Sequence, residues 1–291
     1  MKLVTTTDLL TRKTDAKTAV SMIKEAGFDG IDLSMFYMMY HSDPLGGDQY
    51  ADYVKELRAY ADSLSIGFEQ GHSPFPSYDA ANASYTERIV PYIQRSIEIA
   101  GMLGIKYLVI HPISPVQKPQ DADLKQFNIS FYRSLLPYAK EYGVTVCLEN
   151  MWGYDEPNKR IVPNVCSLGK DLADYVDALD SPYIAACLDL GHCGLVGEDA
   201  AEAIRALGRD RLKALHVHDN NFRADQHLLP YLGQMNWESI TSALKEIRYT
   251  GNLTFEADAT FVALPSDRSL LSSAWQYMES VGRYLIKKVE E

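Results

Sequence analysis

Val146-Cys147-Leu148-Glu149 has the alternation of a β-strand that ends in an acid. Residues two apart in a strand share a face, so Val146 and Leu148 point one way and Glu149 the other. Four further stretches have the same form: Leu108-Val109-Ile110-His111, Cys187-Leu188-Asp189, Leu215-His216-Val217-His218 and Leu253-Thr254-Phe255-Glu256. In these, Leu108/Ile110, Leu188/Leu190, Leu215/Val217 and Leu253/Phe255 form the apolar face. His111, Asp189, His218 and Glu256 face the opposite way. An apolar outer face with a polar inner tip suits a strand backed by helices, its carboxyl end open to a pocket. Several such tips converging make a metal or acid–base site.

Working outward, strand-like runs near 2–7, 28–34, 65–70, 106–112, 144–149, 184–190, 212–218 and 252–257 alternate with amphipathic stretches. Those stretches lie near 15–26, 48–63, 84–103, 123–142, 168–178, 199–207, 237–247 and 268–289. Eight repeats of about 36 residues match an α/β fold of the (β/α)8 TIM-barrel type. No linker or composition shift interrupts them, so residues 1–291 read as one domain. Ser84-Tyr85-Thr86-Glu87 has the form of a capping box. Gly27, Gly101, Gly104, Gly143 and Gly251 sit near helix ends, where a left-handed residue is often needed. The long connections, 35–47, 72–83, 112–122, 151–166 and 219–236, all follow strands, which puts the functional loops at the carboxyl end of the barrel.

The 291 residues are 46% hydrophobic and 23% charged, with a formal net charge of -11. That balance is ordinary for a globular protein and argues against a broad nucleic-acid or anionic-membrane surface. The start, Met1-Lys2-Leu3-Val4, reads into a strand and lacks a signal peptide's apolar region. No apolar run has the length of a membrane span. Cys147, Cys166, Cys187 and Cys193 form no CxxC pair, and reduced thiols in a cytoplasmic enzyme are the expectation. Cys147 and Cys187 precede Glu149 and Asp189 by two residues and should fill the layer below the site.

Glu149 and Glu256 are costly to bury at inner strand ends unless a cation or hydrogen bonds satisfy them. With Asp189 and His218 they form a hard, oxygen-rich ligand set that suits manganese, magnesium or cobalt, with zinc as the other candidate. His72 follows strand 3 and His111 ends strand 4, and both are candidates for substrate hydrogen bonds. His216 lies one layer below His218 and reads as core-packed and hydrogen-bonded rather than as a ligand. Trp152, Phe36 and Tyr37 lie in loops at the same end of the barrel, where they could form an apolar wall against a substrate, and Trp237 reads as a helix-start anchor. His41 has only its loop position to recommend it. GxGxxG and GxxxxGK[ST] are both absent, which argues against nucleotide and flavin cofactors.

The chain resembles the xylose isomerase-like TIM-barrel superfamily of sugar isomerases, ketose 3-epimerases, inosose dehydratases and the endonuclease IV family. The resemblance is carried by Cys147-Leu148-Glu149-Asn150, Leu188-Asp189-Leu190-Gly191-His192 and the run from His216-Val217-His218-Asp219-Asn220 through Asp225-Gln226-His227-Leu228-Leu229-Pro230 to Gly233 and Trp237. It implies one divalent ion at Glu149, Asp189, His218 and Glu256, with Glu149 and Glu256 also exchanging protons with substrate. It further implies that His192 and Arg223 contact substrate oxygens. Arg223 follows His218 by five residues, in a loop without the Gly-Glu-x-Asn pattern of the closest epimerases. The endonuclease IV branch instead holds three zinc ions, and His72, His111, Glu149, Asp189, His192, His218, Asp225, His227 and Glu256 match its positions. Asp225 and His227 are thus candidates for additional metal ligands.

An ion that chelates a carbonyl and its neighbouring hydroxyl stabilises the enediolate left by proton loss. Carboxylates on separate strands can serve opposite faces of that intermediate. The expectation is a metal-dependent isomerase or epimerase of a sugar, keto-sugar or cyclitol. A dehydratase or lyase using the same enediolate and an apurinic-site endonuclease are the alternatives. The partner is a small molecule rather than nucleic acid or membrane, and exposed helix faces are compatible with a homo-oligomer.

Overall fold

The alternation of strand and helix closes into a barrel. A computed structural model of the chain describes residues 1–40, 43–77, 82–113 and 123–291. Among the described residues there are ten strands. They are β1 (Leu3–Thr6), β2 (Gly30–Ser34), β3 (Gly67–His72), β4 (Tyr107–Ile110), β5 (Thr145–Glu149), β6 (Trp152–Asp155), β7 (Arg160–Pro163), β8 (Ile184–Asp189), β9 (Leu212–His216) and β10 (Leu253–Phe255). Eight form one parallel sheet in the order β10-β1-β2-β3-β4-β5-β8-β9. The ring shuts where Val217 bridges Phe255: Val217 N–H donates to Thr254 O at 2.9 Å and Glu256 N–H to Val217 O at 3.3 Å. His41 and parts of the loops 35–47, 72–83 and 112–122 lie outside the described residues.

The helices are α1 (Asp8–Lys13), α2 (Ala16–Ala26), α3 (Tyr50–Ser63), α4 (Ala83–Leu103), α5 (Leu124–Tyr142), α6 (Gly169–Leu179), α7 (Leu190–Val196), α8 (Ala200–Arg211), α9 (Trp237–Glu246) and α10 (Arg268–Glu290). Gly27, Gly104 and Gly143 end α2, α4 and α5 in the left-handed conformation expected of them. Gly101 instead lies inside α4, against Tyr142. The cap of α4 also differs from expectation: Asn82, not Ser84, accepts the Tyr85 N–H. Starting the helix two residues earlier puts Ser84 inside its first turn. No helix among the described residues is long and apolar enough to cross a membrane.

Strand alternation sorts the core into two parts. Leu108, Ile110, Val146, Leu148, Leu188, Leu215, Val217, Leu253 and Phe255 join the helices in one large apolar cluster. Val109, Cys147, Ala185, Cys187 and Ala214 form a separate plug inside the ring. Full burial of a large side chain such as Phe255 stabilises the fold by roughly 1.5–3 kcal/mol. All four cysteines are free and buried. Burial pushes the Cys187 thiol up to about 12, so it is a packing residue rather than a nucleophile.

Three elements depart from the sequence expectation. The loop 151–166 contains the antiparallel pair β6/β7, in register from Trp152 opposite Pro163 to Asp155 opposite Arg160. The short helices α1 and α7 follow β1 and β8 directly. In α7 the cause is local: Asp189 is both the last residue of β8 and the helix N-cap, its Oδ1 accepting the His192 N–H at 2.7 Å.

Candidate functional site

That N-cap brings Asp189 and His192 to the same place, one helical turn apart. Asn150 ties the tops of β5 and β8 together beside them. Its Oδ1 accepts the Asp189 N–H at 2.6 Å and its Nδ2 donates to Asp189 O at 2.9 Å. Gly191 leaves room for the neighbouring ring, since a Cβ there would fall 2.0 Å from His218 Cε1.

The loop after β9 is organised by the buried carboxylate of Asp219. It accepts the N–H groups of Asn220, Tyr231 and Met235 and the Trp237 Nε1–H, at 2.8–3.0 Å. Trp237 therefore anchors the start of α9, as expected. Asp219 and Leu228 also exchange backbone hydrogen bonds. These contacts carry Asp225 and His227 back over the barrel mouth, with His227 at φ 45°. Such a left-handed backbone is uncommon outside glycine and clusters at functional sites.

Among the described residues the polar tips form four groups, the ligand atoms of each lying within 4.8 Å of one another. Three share members: His72, His111 and Glu149; His72, His216 and Glu256; and Glu149, Asp189, His216 and Glu256. The fourth is His192, His218, Asp225 and His227. The carboxylates Glu149, Asp189 and Glu256 come together as expected, but the imidazole among them belongs to His216. His216 Nδ1 is 2.8 Å from Glu149 Oε1 and 3.1 Å from Glu256 Oε2. His218 Nε2 is 2.9 Å from Asp189 Oδ1, and its ring stacks on His227 at 4.0 Å. The register explains the difference: β8 and β9 pair Asp189 with His216, after a shift at Ala186/Cys187.

Three histidines have settled tautomers. Nδ1 of His72 donates to Ser73 O at 2.7 Å, that of His192 to Asn150 O at 2.8 Å and that of His227 to Glu256 O at 2.8 Å. A carbonyl only accepts, so each Nε2 is left to face the cluster. His192 Nε2 and His227 Nε2 each lie 3.3 Å from Asp225. Metal-ligating histidines are commonly held in this way.

The buried carboxylates and imidazoles of the cluster shift one another. Burial alone would raise the Glu149 carboxyl, but His216 and His111 hold it well below the usual carboxylate range. Burial likewise opposes ionisation of Asp225, and hydrogen bonds from His192 and His227 outweigh it. Burial lowers His192, yet Asp189 and Asp225 push it up to about 10. His111 goes the other way: burial lowers it and outweighs Glu149.

These residues fit a divalent cation. Glu149 Oε2, His218 Nδ1 and Asp225 Oδ1 are buried without hydrogen-bond partners. Glu149 Oε2 does approach His111 Nε2 at 2.9 Å, but is misaligned for a hydrogen bond. Carboxylate oxygens and imidazole nitrogens are a suitable donor set for manganese, cobalt, magnesium or zinc.

Above the cluster lies a cavity of about 270 Å³, with Glu149 and Glu256 among its lining and Phe75, Pro76, Met151 and Trp152 as apolar walls. His72, His111, His192, Asp225 and His227 also reach it. Trp152 Nε1–H donates to Asp225 Oδ2 at 3.3 Å, so β6 holds its aromatic wall against the cluster. Phe36 packs edge-on to His72 at 4.6 Å, behind that surface. Arg223 is exposed in the loop after β9 and does not line the cavity. A larger hollow, about 750 Å³, lies at the strands' amino ends beside Lys106, Asp177 and Arg211, and contains none of the strand tips.

Comparison with known proteins agrees with this architecture. The chain is 30% identical over 225 residues to the uncharacterized protein MJ1311 of Methanocaldococcus jannaschii, covering 75% of this chain and 72% of that one. It is 24% identical over 254 residues to a D-psicose 3-epimerase of Enterocloster bolteae, covering 83% and 76%. It is 27% identical over 177 residues to a probable endonuclease 4 of Metamycoplasma arthritidis, covering 58% of each. A solved L-ribulose 3-epimerase structure matches with a TM-score of 0.75 at 18% identity, over 99% of this chain and 94% of that one, a likeness of fold. With the match to its family running over residues 20–273, the chain belongs to the xylose isomerase-like TIM-barrel family.

Proposed function

We propose that this protein is a divalent-metal-dependent sugar isomerase or epimerase, acting on a keto-sugar or cyclitol of about monosaccharide size. The observation that carries the reading is the approach of Glu149 and Glu256 to one another beneath the 270 Å³ cavity. The cavity's apolar walls suit a sugar's carbon face, and its histidines suit hydroxyl groups. Similarity to sugar 3-epimerases supports the same class.

In this reading Glu149, Asp189, His216 and Glu256 hold the ion, with His216 in the place first assigned to His218. When bound, the ion supplies Lewis-acid polarisation of a substrate carbonyl. Glu149 and Glu256 move the proton: one carboxylate takes it from the carbon beside the carbonyl, and one returns it. His72, His111 and His192 orient hydroxyls, and Trp152 closes the apolar side. Return to the opposite face of the same carbon is epimerisation, and return to the adjacent carbon is isomerisation. Loss of a β-hydroxyl instead would make the enzyme a dehydratase.

The test is deuterium incorporation from D2O into a panel of ketoses and cyclitols, with manganese- or cobalt-loaded protein. Exchange at a carbon next to the carbonyl is expected. Absence of exchange across the panel, in protein that holds its ion, would overturn the reading.

A second reading is an apurinic-site endonuclease with a three-zinc cluster. The gathering of several ligand groups at one barrel mouth, two of them sharing Glu149, favours it, as does similarity to a probable endonuclease 4. The net charge of -11 and a cavity of monosaccharide size argue against it. Nicking of an abasic duplex by zinc-loaded protein would establish it.

A further inference from the structure

We infer that Asp32 is a positioning residue for His216: it accepts the hydrogen bond of the imidazole Nε2–H, so that Nδ1, which faces Glu149 and Glu256, is the nitrogen offered to a bound ion. Asp32 sits on β2 between Ile31 and Leu33, which face the helices, and its own side chain points into the barrel, 1% exposed. A carboxylate buried this far needs a cation or several donors. Among the described residues its one ionic partner within 4.0 Å is His216, with Asp32 Oδ2 3.7 Å from His216 Nε2. Asp32 Oδ1 and His216 Nε2 are both buried without a hydrogen-bond partner. The carboxylate and the ring thus each keep an unsatisfied atom while the approach between them runs through Oδ2, and a rotation of either side chain brings an acceptor within hydrogen-bond reach of Nε2.

Gln70 determines which of the two is the acceptor. Thr254 Oγ1–H donates to Gln70 Oε1 at 3.1 Å, which turns the amide nitrogen the other way. Gln70 Nε2 then donates to Asp32 Oδ2 at 3.1 Å and approaches Leu215 O at 3.4 Å. Asp32 therefore receives hydrogen from Gln70 and remains an acceptor toward His216. At the other ring nitrogen, Glu149 Oε1 and Glu256 Oε2 lie 2.8 and 3.1 Å from Nδ1. An imidazole whose distal N–H is given to a carboxylate is oriented and made more basic as a metal ligand. The chain Thr254–Gln70–Asp32–His216 crosses the barrel interior from β10 through β3 and β2 to β9, beneath the cluster.

The inference rests on the reading of Glu149, Asp189, His216 and Glu256 as an ion site, and its test does not depend on turnover. The probe is Zn2+ alone, bound to protein labelled with 15N-histidine, with the His216 signals assigned by difference from His216→Gln. Two-bond 1H–15N correlation is expected to show His216 protonated at Nε2 and ligated through Nδ1. Asp32→Asn is expected to weaken Zn2+ binding by about 10–100-fold and to lose the protected Nε2–H signal. A Nδ1-protonated His216 in the zinc-loaded wild type would overturn the role of Asp32 alone. So would a folded Asp32→Asn that binds Zn2+ within about twofold of wild type, on the same scale. If Asp32→Asn does not fold, the wild-type tautomer decides. Failure of the wild type to bind Zn2+ at all would instead sink the ion site itself.

Discussion

His72 Nε2 and His111 Nε2 face each other at 2.9 Å, and both border Glu149 Oε2, at 3.5 and 2.9 Å. His72 donates its Nδ1–H to Ser73 O, so its Nε2 points at the pair's shared centre. Glu149 also serves His216 with its other oxygen, which makes it the hinge between two of the four ligand groups.

Glu149→Gln should therefore remove more than a base. Its amide cannot balance the imidazoles on both sides, so ion binding should collapse and proton exchange should fall by about 10²–10⁴-fold. Circular dichroism should show an intact barrel. Full exchange activity in this variant would exclude Glu149 from the chemistry.

The number of ions separates the two functional readings. Elemental mass spectrometry after mild dialysis should find about one ion per chain. Asp225→Asn should leave that number unchanged, because Asp225 lies outside the group of Glu149, Asp189, His216 and Glu256. Two or three zinc ions, reduced by Asp225→Asn, would move the endonuclease reading ahead.

Trp152 lines the cavity and donates to Asp225, so Trp152→Ala removes a wall and a tether together. KM for the sugar should rise about tenfold, with a smaller change in kcat, as loss of one aromatic contact implies. Arg223→Ala, at an exposed position off the cavity, should change KM by less than about threefold. Steady-state kinetics of the two variants side by side checks both.

Asp258 supplies a pH test of stability. Burial, then the nearby Asp8, pushes its carboxyl up to about 7, despite the hydrogen bond it accepts from Leu9 N–H. The folded state therefore holds this proton more tightly than the unfolded chain. Its stabilising effect is complete below about pH 4 and is lost as pH rises through about 7. Asp258→Asn keeps an acceptor for Leu9 N–H and should gain on the order of a few kcal/mol at pH 8, and almost nothing at pH 4. Urea unfolding at the two pH values reads the difference; an equal gain at both would contradict the assignment.

The barrel and most of its polar mouth were legible in the chain because both follow from alternation. A strand with helices on one side and a pocket on the other must be apolar on one face, and Glu149, Asp189 and Glu256 end such strands. The β6/β7 pair was not legible, since Trp152-Gly153-Tyr154-Asp155 buries neither face fully and so lacks an apolar rhythm. Asn150 and Asp219 were likewise missed as organisers: most of their hydrogen bonds join residues 12 to 42 positions apart, which no local pattern records.

His216 and His218 show where the boundary lies. Two residues apart on one strand, they share a face, so the sequence by itself determined that both point inward; the reading that took His218 as the ligand and His216 as core-packed had no local pattern to separate them. Only the tertiary structure decided that His216 meets Glu149 and Glu256 while His218 joins Asp225 and His227, because that depends on how β9 is staggered against β8. The same holds for Asp32, an acid between two apolar residues whose partner lies 184 positions away. Periodicity is a property of one strand, whereas the meeting of side chains across a barrel depends on register, and register is fixed by pairing between strands.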